Sequence, residues 1–176
     1  MVSKNSNKDR VTKELALLIT PLLTAYLFVA FYEAGYCSFF GIPYELIDIN
    51  FTDVLLTNRL TLMVVVIAFL WISLYYNVLP SANSPVFRGM ITLILFLSLW
   101  LGSWFGGSDA QQKQDFLVMT LGEKDYALIK IYDDKMILSP INKANKTFKK
   151  AFHVVKIGQF SQYQLIEENI GPLLPE

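Results

Sequence analysis

The chain has 176 residues, 53% of them hydrophobic, with a mean hydropathy of +0.40 and 15 basic against 15 acidic side chains. That apolar content is gathered into long runs, which excludes an ordinary soluble domain and points to membrane-spanning helices. A single cysteine, Cys37, excludes an intramolecular disulfide, and no CxxC, HExxH, glycine-rich phosphate loop or GxSxG motif is present.

From the N-terminus, residues 1–13 form a short basic arm, with Lys4, Lys8, Arg10 and Lys13 against Asp9. Residues 15–32 are the first apolar span, and Pro21 within it is a kink that a helix bundle tolerates. Residues 33–53 carry Glu33, Glu45, Asp48 and Asp53 and no basic residue. Within them, Phe39-Phe40-Gly41-Ile42-Pro43-Tyr44 mixes aromatics with a Gly-x-Pro turn, as suits a loop at headgroup level. A second span covers 54–79, and a third covers 86–105 with Arg88 near its start; residues 80–87 make a tight hairpin between them. Each span is long enough to cross ~30 Å of hydrocarbon at ~1.5 Å per residue. The expected architecture is a membrane protein: a bundle of three transmembrane α-helices within residues 14–107, then a small soluble β-rich (α+β) C-terminal domain. The first span lacks a short apolar core followed by a cleavage site, so no cleaved signal peptide is expected.

Some residues of the spans bear on packing. Ser98, Gly102 and Gly106 recur every four residues, a spacing that lets helices approach closely, within one chain or between copies. Glu33 and Arg59 would pair if spans one and two run antiparallel; otherwise each snorkels to water. Trp71, Trp100 and Trp104 read as interfacial or packing residues, and Cys37 as a small apolar residue near the interface.

Gly106-Gly107-Ser108-Asp109 and the following glutamines read as a flexible joint, with a linker over 108–114. From residue 115 the pattern is β: strands at 116–121, 126–132 and 136–141, separated by turns at 122–125 and 133–135. A polar loop at 142–146 precedes a fourth strand at 148–157, with Phe152 and Val154 on one face and His153 and Val155 on the other. Residues 161–169 read as a short amphipathic helix. Roughly 60 residues bury little surface alone, so this module is expected to lean on a partner copy or on the membrane helices.

Between Asp134 and Glu167 there is no acidic residue, while Lys135, Lys143, Lys146, Lys149, Lys150, Lys156 and the only histidine, His153, all fall there. The dense part gives the candidate anion-binding residues: Lys143, Asn145, Lys146, Lys149, Lys150 and His153, with Asn142 and Thr147 beside them. Ammonium groups supply charge to a phosphate, and amide or hydroxyl groups fix its orientation. The same residues also read as a solvated strand face or a patch drawn to anionic lipid headgroups. His153 alone also reads as a satisfied, partly buried imidazole. No serine or cysteine nucleophile in an activating setting accompanies it, and no acid–base or metal constellation is visible, so an enzyme is disfavoured and no cofactor is expected.

The spans, the Phe40-Gly41-Ile42-Pro43 segment and the run Ile129-Lys130-Ile131-Tyr132-Asp133-Asp134-Lys135-Met136-Ile137-Leu138-Ser139-Pro140 resemble a family of small bacterial membrane proteins. That family joins an N-terminal helix bundle to a C-terminal β-rich tail. In size and layout the chain is also similar to membrane-anchored ancillary effectors of type III CRISPR systems. The similarity implies a homo-oligomeric inner-membrane effector of antiviral defence with a cytoplasmic C-terminal domain. That domain would bind a cyclic oligoadenylate, above all cyclic tetra-adenylate, and perturb the lipid bilayer; no DNA partner is implied. No binding residue transfers by motif, so the lysine cluster and His153 are assigned from the residues themselves. The alternative is an envelope protein whose basic tail binds anionic lipid or a protein partner. Topology separates the two. The basic arm predicts a cytoplasmic N-terminus, which with three spans puts the tail outside. A cytoplasmic tail needs a translocated arm or one apolar segment that does not fully cross.

Overall fold

A computed structural model describes residues 3–47, 63, 66, 67, 70, 85–132, 134–159 and 164–176. Most of the predicted 54–79 span, Arg59, Trp71 and the first part of the 80–87 hairpin lie outside the described residues. Of that span, Met63, Val66, Ile67 and Leu70 are helical and exposed. The chain divides into two units: Met1–Tyr32 with Ile49–Gly102, and Glu33–Asp48 with Ser103–Glu176.

The described part of the first unit is helical. Helix α1 (Ser3–Phe40) and helix α2 (Pro85–Gln112) supply most of it, and each continues into the second unit. Two stretches among the described residues, Ile19–Phe40 and Arg88–Gln112, are long and apolar enough to cross a membrane. Leu22, Leu23 and Tyr26 on α1 and Leu93, Phe96, Leu97 and Trp100 on α2 are exposed, while Ala25, Phe28 and Val29 are buried. Buried Ser98 and Gly102 lie on the packed face of α2. A Cβ on Gly102 would run into the Phe28 carbonyl oxygen, so the backbones approach where only glycine fits. The small-residue stripe therefore serves packing within the chain. Its hydroxyl stays inside the helix, the Ser98 Oγ donating to the Leu95 carbonyl at 2.6 Å.

In the second unit, α1 runs on through the predicted 33–53 loop as far as Phe40. Gly41, at φ +75°, ends it. The Ile42 N–H reaches the Cys37 carbonyl at 2.9 Å and the Gly41 N–H reaches Ser38 at 3.1 Å, a Schellman closure, and Pro43 forbids continuation. Residues 33–40 stay helical because Tyr36, Cys37 and Phe40 find an apolar sheet face to cover. The predicted joint at 106–109 and most of the 108–114 linker are helical too, since α2 continues to Gln112. The reason is the same: Gly106 and Ala110 are buried, and the glycines there give close approach rather than flexibility. A Cβ on Gly35 would collide with the Ser103 carbonyl oxygen. Both helices thus bring their C-terminal turns into the sheet unit.

Among the described residues the sheet has seven strands, β1 (Asp115–Leu121), β2 (Lys124–Tyr132), β3 (Lys135–Asn142), β4 (Thr147–Phe148), β5 (His153–Lys156), β6 (Ile166–Asn169) and β7 (Leu174–Pro175). The order is β6-β1-β2-β3-β4-β7, with β5 pairing the first half of β3 and only β4–β7 parallel. A two-residue turn with Gly122 at φ +64° joins β1 to β2. Alternation sends Phe116, Val118, Ala127, Ile129, Ile137 and Phe148 to the face covered by Tyr36, Cys37, Phe40 and Ala110. Met119, Leu128, Met136 and Leu138 form a second cluster on the other face.

Two expectations fail here. The single strand at 148–157 is split into β4 and β5, because Pro140 has no N–H to donate where β3 changes partner. Instead the Pro140 carbonyl accepts from Lys149 N–H at 3.1 Å and the Ser139 hydroxyl donates to the Lys149 carbonyl at 3.0 Å. The predicted helix at 161–169 is overturned over its last residues, which form β6 against β1; Asn169 Nδ2 donates to the Asp115 carboxylate at 2.7 Å. Leu165, Ile166 and Ile170 have helix-like spacing, but an unpaired β1 edge has a stronger claim on them.

Glycine substitutions separate packing from propensity. Gly35→Ala is expected to lower stability by about 1–3 kcal/mol through backbone collision. Gly89→Ala, with nothing within 4 Å of its Cβ, is expected to raise it by about 0.5–1 kcal/mol. Thermal melts of the purified full-length variants compare the two.

Candidate functional site

The described sheet carries a cleft of about 550 Å3 where the β1–β2 turn faces the end of β3 and the C-terminus. Its lining includes Lys124, Asp125, Tyr126, Asn142, Lys143, Lys149, His153 and Glu176. Asp125 and Tyr126 open β2 opposite Ile141 and Pro140 of β3, so strand register places them. The Tyr126 ring meets the His153 imidazole edge-on at 5.3 Å. Both side chains are on the second-cluster face, and Val155 follows His153 there by alternation, as the 148–157 pattern predicts.

Of the six candidate anion-binding residues, Lys143, Lys149 and His153 come together in this cleft; Asn145, Lys146 and Lys150 do not line it. Asn145 is exposed in the β3–β4 turn, its N–H held by the Asn142 side-chain oxygen at 3.3 Å. Lys146 takes φ +53° and lays its chain over Gly171, and exposed Lys150 packs against Gly41. His153 is exposed, so the expectation of a partly buried imidazole fails.

The acid-free stretch acquires acids from elsewhere in the sheet unit: Asp125 on β2, Glu168 on β6 and Glu176 after β7. Lys143 Nζ lies 2.8 Å from Glu168 and 3.4 Å from Asp125. The Glu168 hydrogen bond holds this ammonium above the usual lysine range. Lys149 lies 3.8 Å from Glu176, with two thirds of its side chain exposed. The lining therefore carries both signs. Lys149 is its loosely held cation, and Lys143 is a crosslink between strands.

A second cluster, assembled under the sheet, was not legible as a whole in the sequence. β2 has a bulge at Ile129: Leu128 pairs with Leu138, and Lys130 pairs with Ile137. The extra residue turns Lys130 and Tyr132 to the face where α1 lies, in place of Ile131. There Lys130 Nζ donates to Glu33 Oε1 at 2.7 Å and Tyr132 Oη donates to Oε2 at 2.9 Å. Cys37 Sγ lies 3.3 Å from Tyr132 Oη. Burial, followed by the Glu33 charge, pushes the Tyr132 phenol well above its usual range, so it stays a donor. Lys113 Nζ donates to Tyr36 Oη at 3.1 Å and lies over the Phe116 ring at 5.1 Å. Arg59, the partner expected for Glu33, lies outside the described residues. The available signal was a lone lysine between Ile129 and Ile131 in an apolar strand.

Among the described residues, no group of three or more histidine, cysteine or acidic side chains is placed to hold a metal ion. No protein-family model, curated protein or solved structure matches this chain.

Proposed function

We propose that this chain is a membrane-anchored binding protein whose sheet unit lies on the side opposite the N-terminal arm and takes a phosphate-bearing ligand in the cleft. One observation carries the topology: α1 and α2 both bring their C-terminal turns into the sheet unit. Two helices that cross a bilayer toward one domain cross in the same direction. That topology needs one return crossing between the two helices, the role expected of the 54–79 span from its sequence. Lys4, Lys8, Arg10 and Lys13 hold the arm in the cytoplasm, and the sheet unit faces the envelope. The exposed apolar residues of both helices support contact with lipid.

The cleft falls within the ~300–1,000 Å3 of small-ligand sites. Lysines supply charge to a phosphate, and Asp125 and Glu176 accept from donors elsewhere on the ligand. A second reading, the cyclic-oligoadenylate effector, is favoured by the Tyr126–His153 pair beside Lys149, since a nucleotide needs an aromatic surface next to a cation. It requires the arm to be translocated. A four-nucleotide ring exceeds one cleft, so two copies would share it.

Titration calorimetry on the full-length protein in nanodiscs, with pyrophosphate and with cyclic tetra-adenylate, tests the cleft. Pyrophosphate binding that Lys149→Glu weakens by about 10–100-fold supports the site, since a charge-assisted hydrogen bond is worth ~1.5–3 kcal/mol. Binding of cyclic tetra-adenylate alone selects the effector reading, and unchanged binding in Lys149→Glu rejects the cleft.

A further inference from the structure

Lys113 and Lys130 stand on either side of an imbalance. Lys130 has Glu33. The Lys113 ammonium meets the Tyr36 hydroxyl and the Tyr36 and Phe116 rings, but among the described residues no carboxylate lies within ion-pair distance of it. Both ammonium groups lie near the Tyr36 ring, Lys130 at 5.5 Å and Lys113 at 5.8 Å from its centroid. Partial burial and the Lys130 charge both act against the Lys113 cation and hold its pKa below the usual lysine value. Such a pair is completed by an anion.

Position identifies the anion. Lys113 directly follows α2, whose apolar stretch ends at Gln112, and its side chain turns back to Tyr36. Tyr36 is one residue from Gly35, which packs at the level of Ser103 and Gly107, next to exposed Trp104. An exposed tryptophan at the end of an apolar helix marks headgroup depth.

We propose that Lys113 and Lys130, set around Tyr36, form a phosphate site that takes the headgroup of an anionic lipid at the membrane edge. This rests on the membrane-anchored reading. A neutral partner is in place, the Tyr36 hydroxyl beside Lys113, and the Lys130 side chain keeps about a third of its surface exposed. The site is distinct from the cleft, sharing no lining residue with it.

The experiment uses the full-length protein in nanodiscs of phosphatidylcholine, with or without phosphatidylglycerol, and in phosphatidylcholine discs with added inorganic phosphate. Phosphatidylglycerol is expected to raise Tm by about 2–4 °C, as one lysine at an anionic surface is worth ~1 kcal/mol. Lys113→Gln should abolish the rise, Lys113→Arg should keep it, and Lys156→Gln, at an exposed lysine of β5, should leave it unchanged. A rise produced equally by inorganic phosphate assigns the site to free phosphate instead of lipid. A rise that survives Lys113→Gln overturns the site. Carbonate extraction tests the premise separately: a chain stripped from membranes rejects the anchored reading, whereas a retained chain without lipid dependence rejects only this site.

Discussion

Lys130→Met is expected to cost more than Glu33→Gln, although the two substitutions break the same ion pair. The Glu33 side chain is only 5% exposed, whereas Lys130 keeps 31%. Removing the lysine leaves a buried carboxylate with one donor, Tyr132, and such orphaned charges cost ~3–5 kcal/mol. Removing the acid leaves an ammonium that water can reach, for a cost of ~1–3 kcal/mol. For a chain of this length the first should lower Tm by roughly 6–20 °C in detergent micelles. The double variant Glu33→Gln/Lys130→Met should recover part of the loss, because no charge is left buried. Equal costs for the two single variants would show that the pair is solvated rather than held beneath the sheet.

Phe148→Ala carries the second large effect. Phe148 is fully buried although its strand is only two residues long. Its ring meets Phe40 at 5.1 Å and Phe39 at 5.4 Å, at the end of α1. Deleting a buried phenyl costs ~3–5 kcal/mol. Among the described strands β4 is the one that bridges β3 and β7, so hydrogen exchange should rise first at Leu174 and at Ile141. Phe152→Ala, at a partly buried position against the same cluster, should cost less. If both cost the same, the aromatic contact with α1 is not what fixes β4.

How far the sequence reveals this fold depends on whether local or distant residues decide an element. The helix end at Gly41-Ile42-Pro43 is written locally, in a glycine able to take φ +75° and a proline two residues on. The first three strands are also local, since alternating apolar residues and the Gly122 turn define them. The extension of α1 through residues 33–40 is not: those residues are helical because a sheet some 80 residues away covers Tyr36, Cys37 and Phe40. Nor are the break at 149–152, decided by Pro140 across the ladder, and β6, decided by a bare edge. For the cleft, the lysines and His153 were visible as a charge run, but the partners of Lys143 and Lys149 come from β2, from β6 and from Glu176 after β7. The Glu33 cluster depends on a one-residue bulge, which no composition pattern records.

The side of the membrane on which the sheet unit lies can be measured directly. Paired reporters fused after Glu176 of the full-length chain, one active only in the cytoplasm and one only beyond the membrane, measure it. The second is expected to be active and the first silent, with the N-terminal arm accessible only from the cytoplasm. A cytoplasmic reporter that is active after Glu176, with the arm on the same side, would contradict two helices crossing in one direction toward a common sheet.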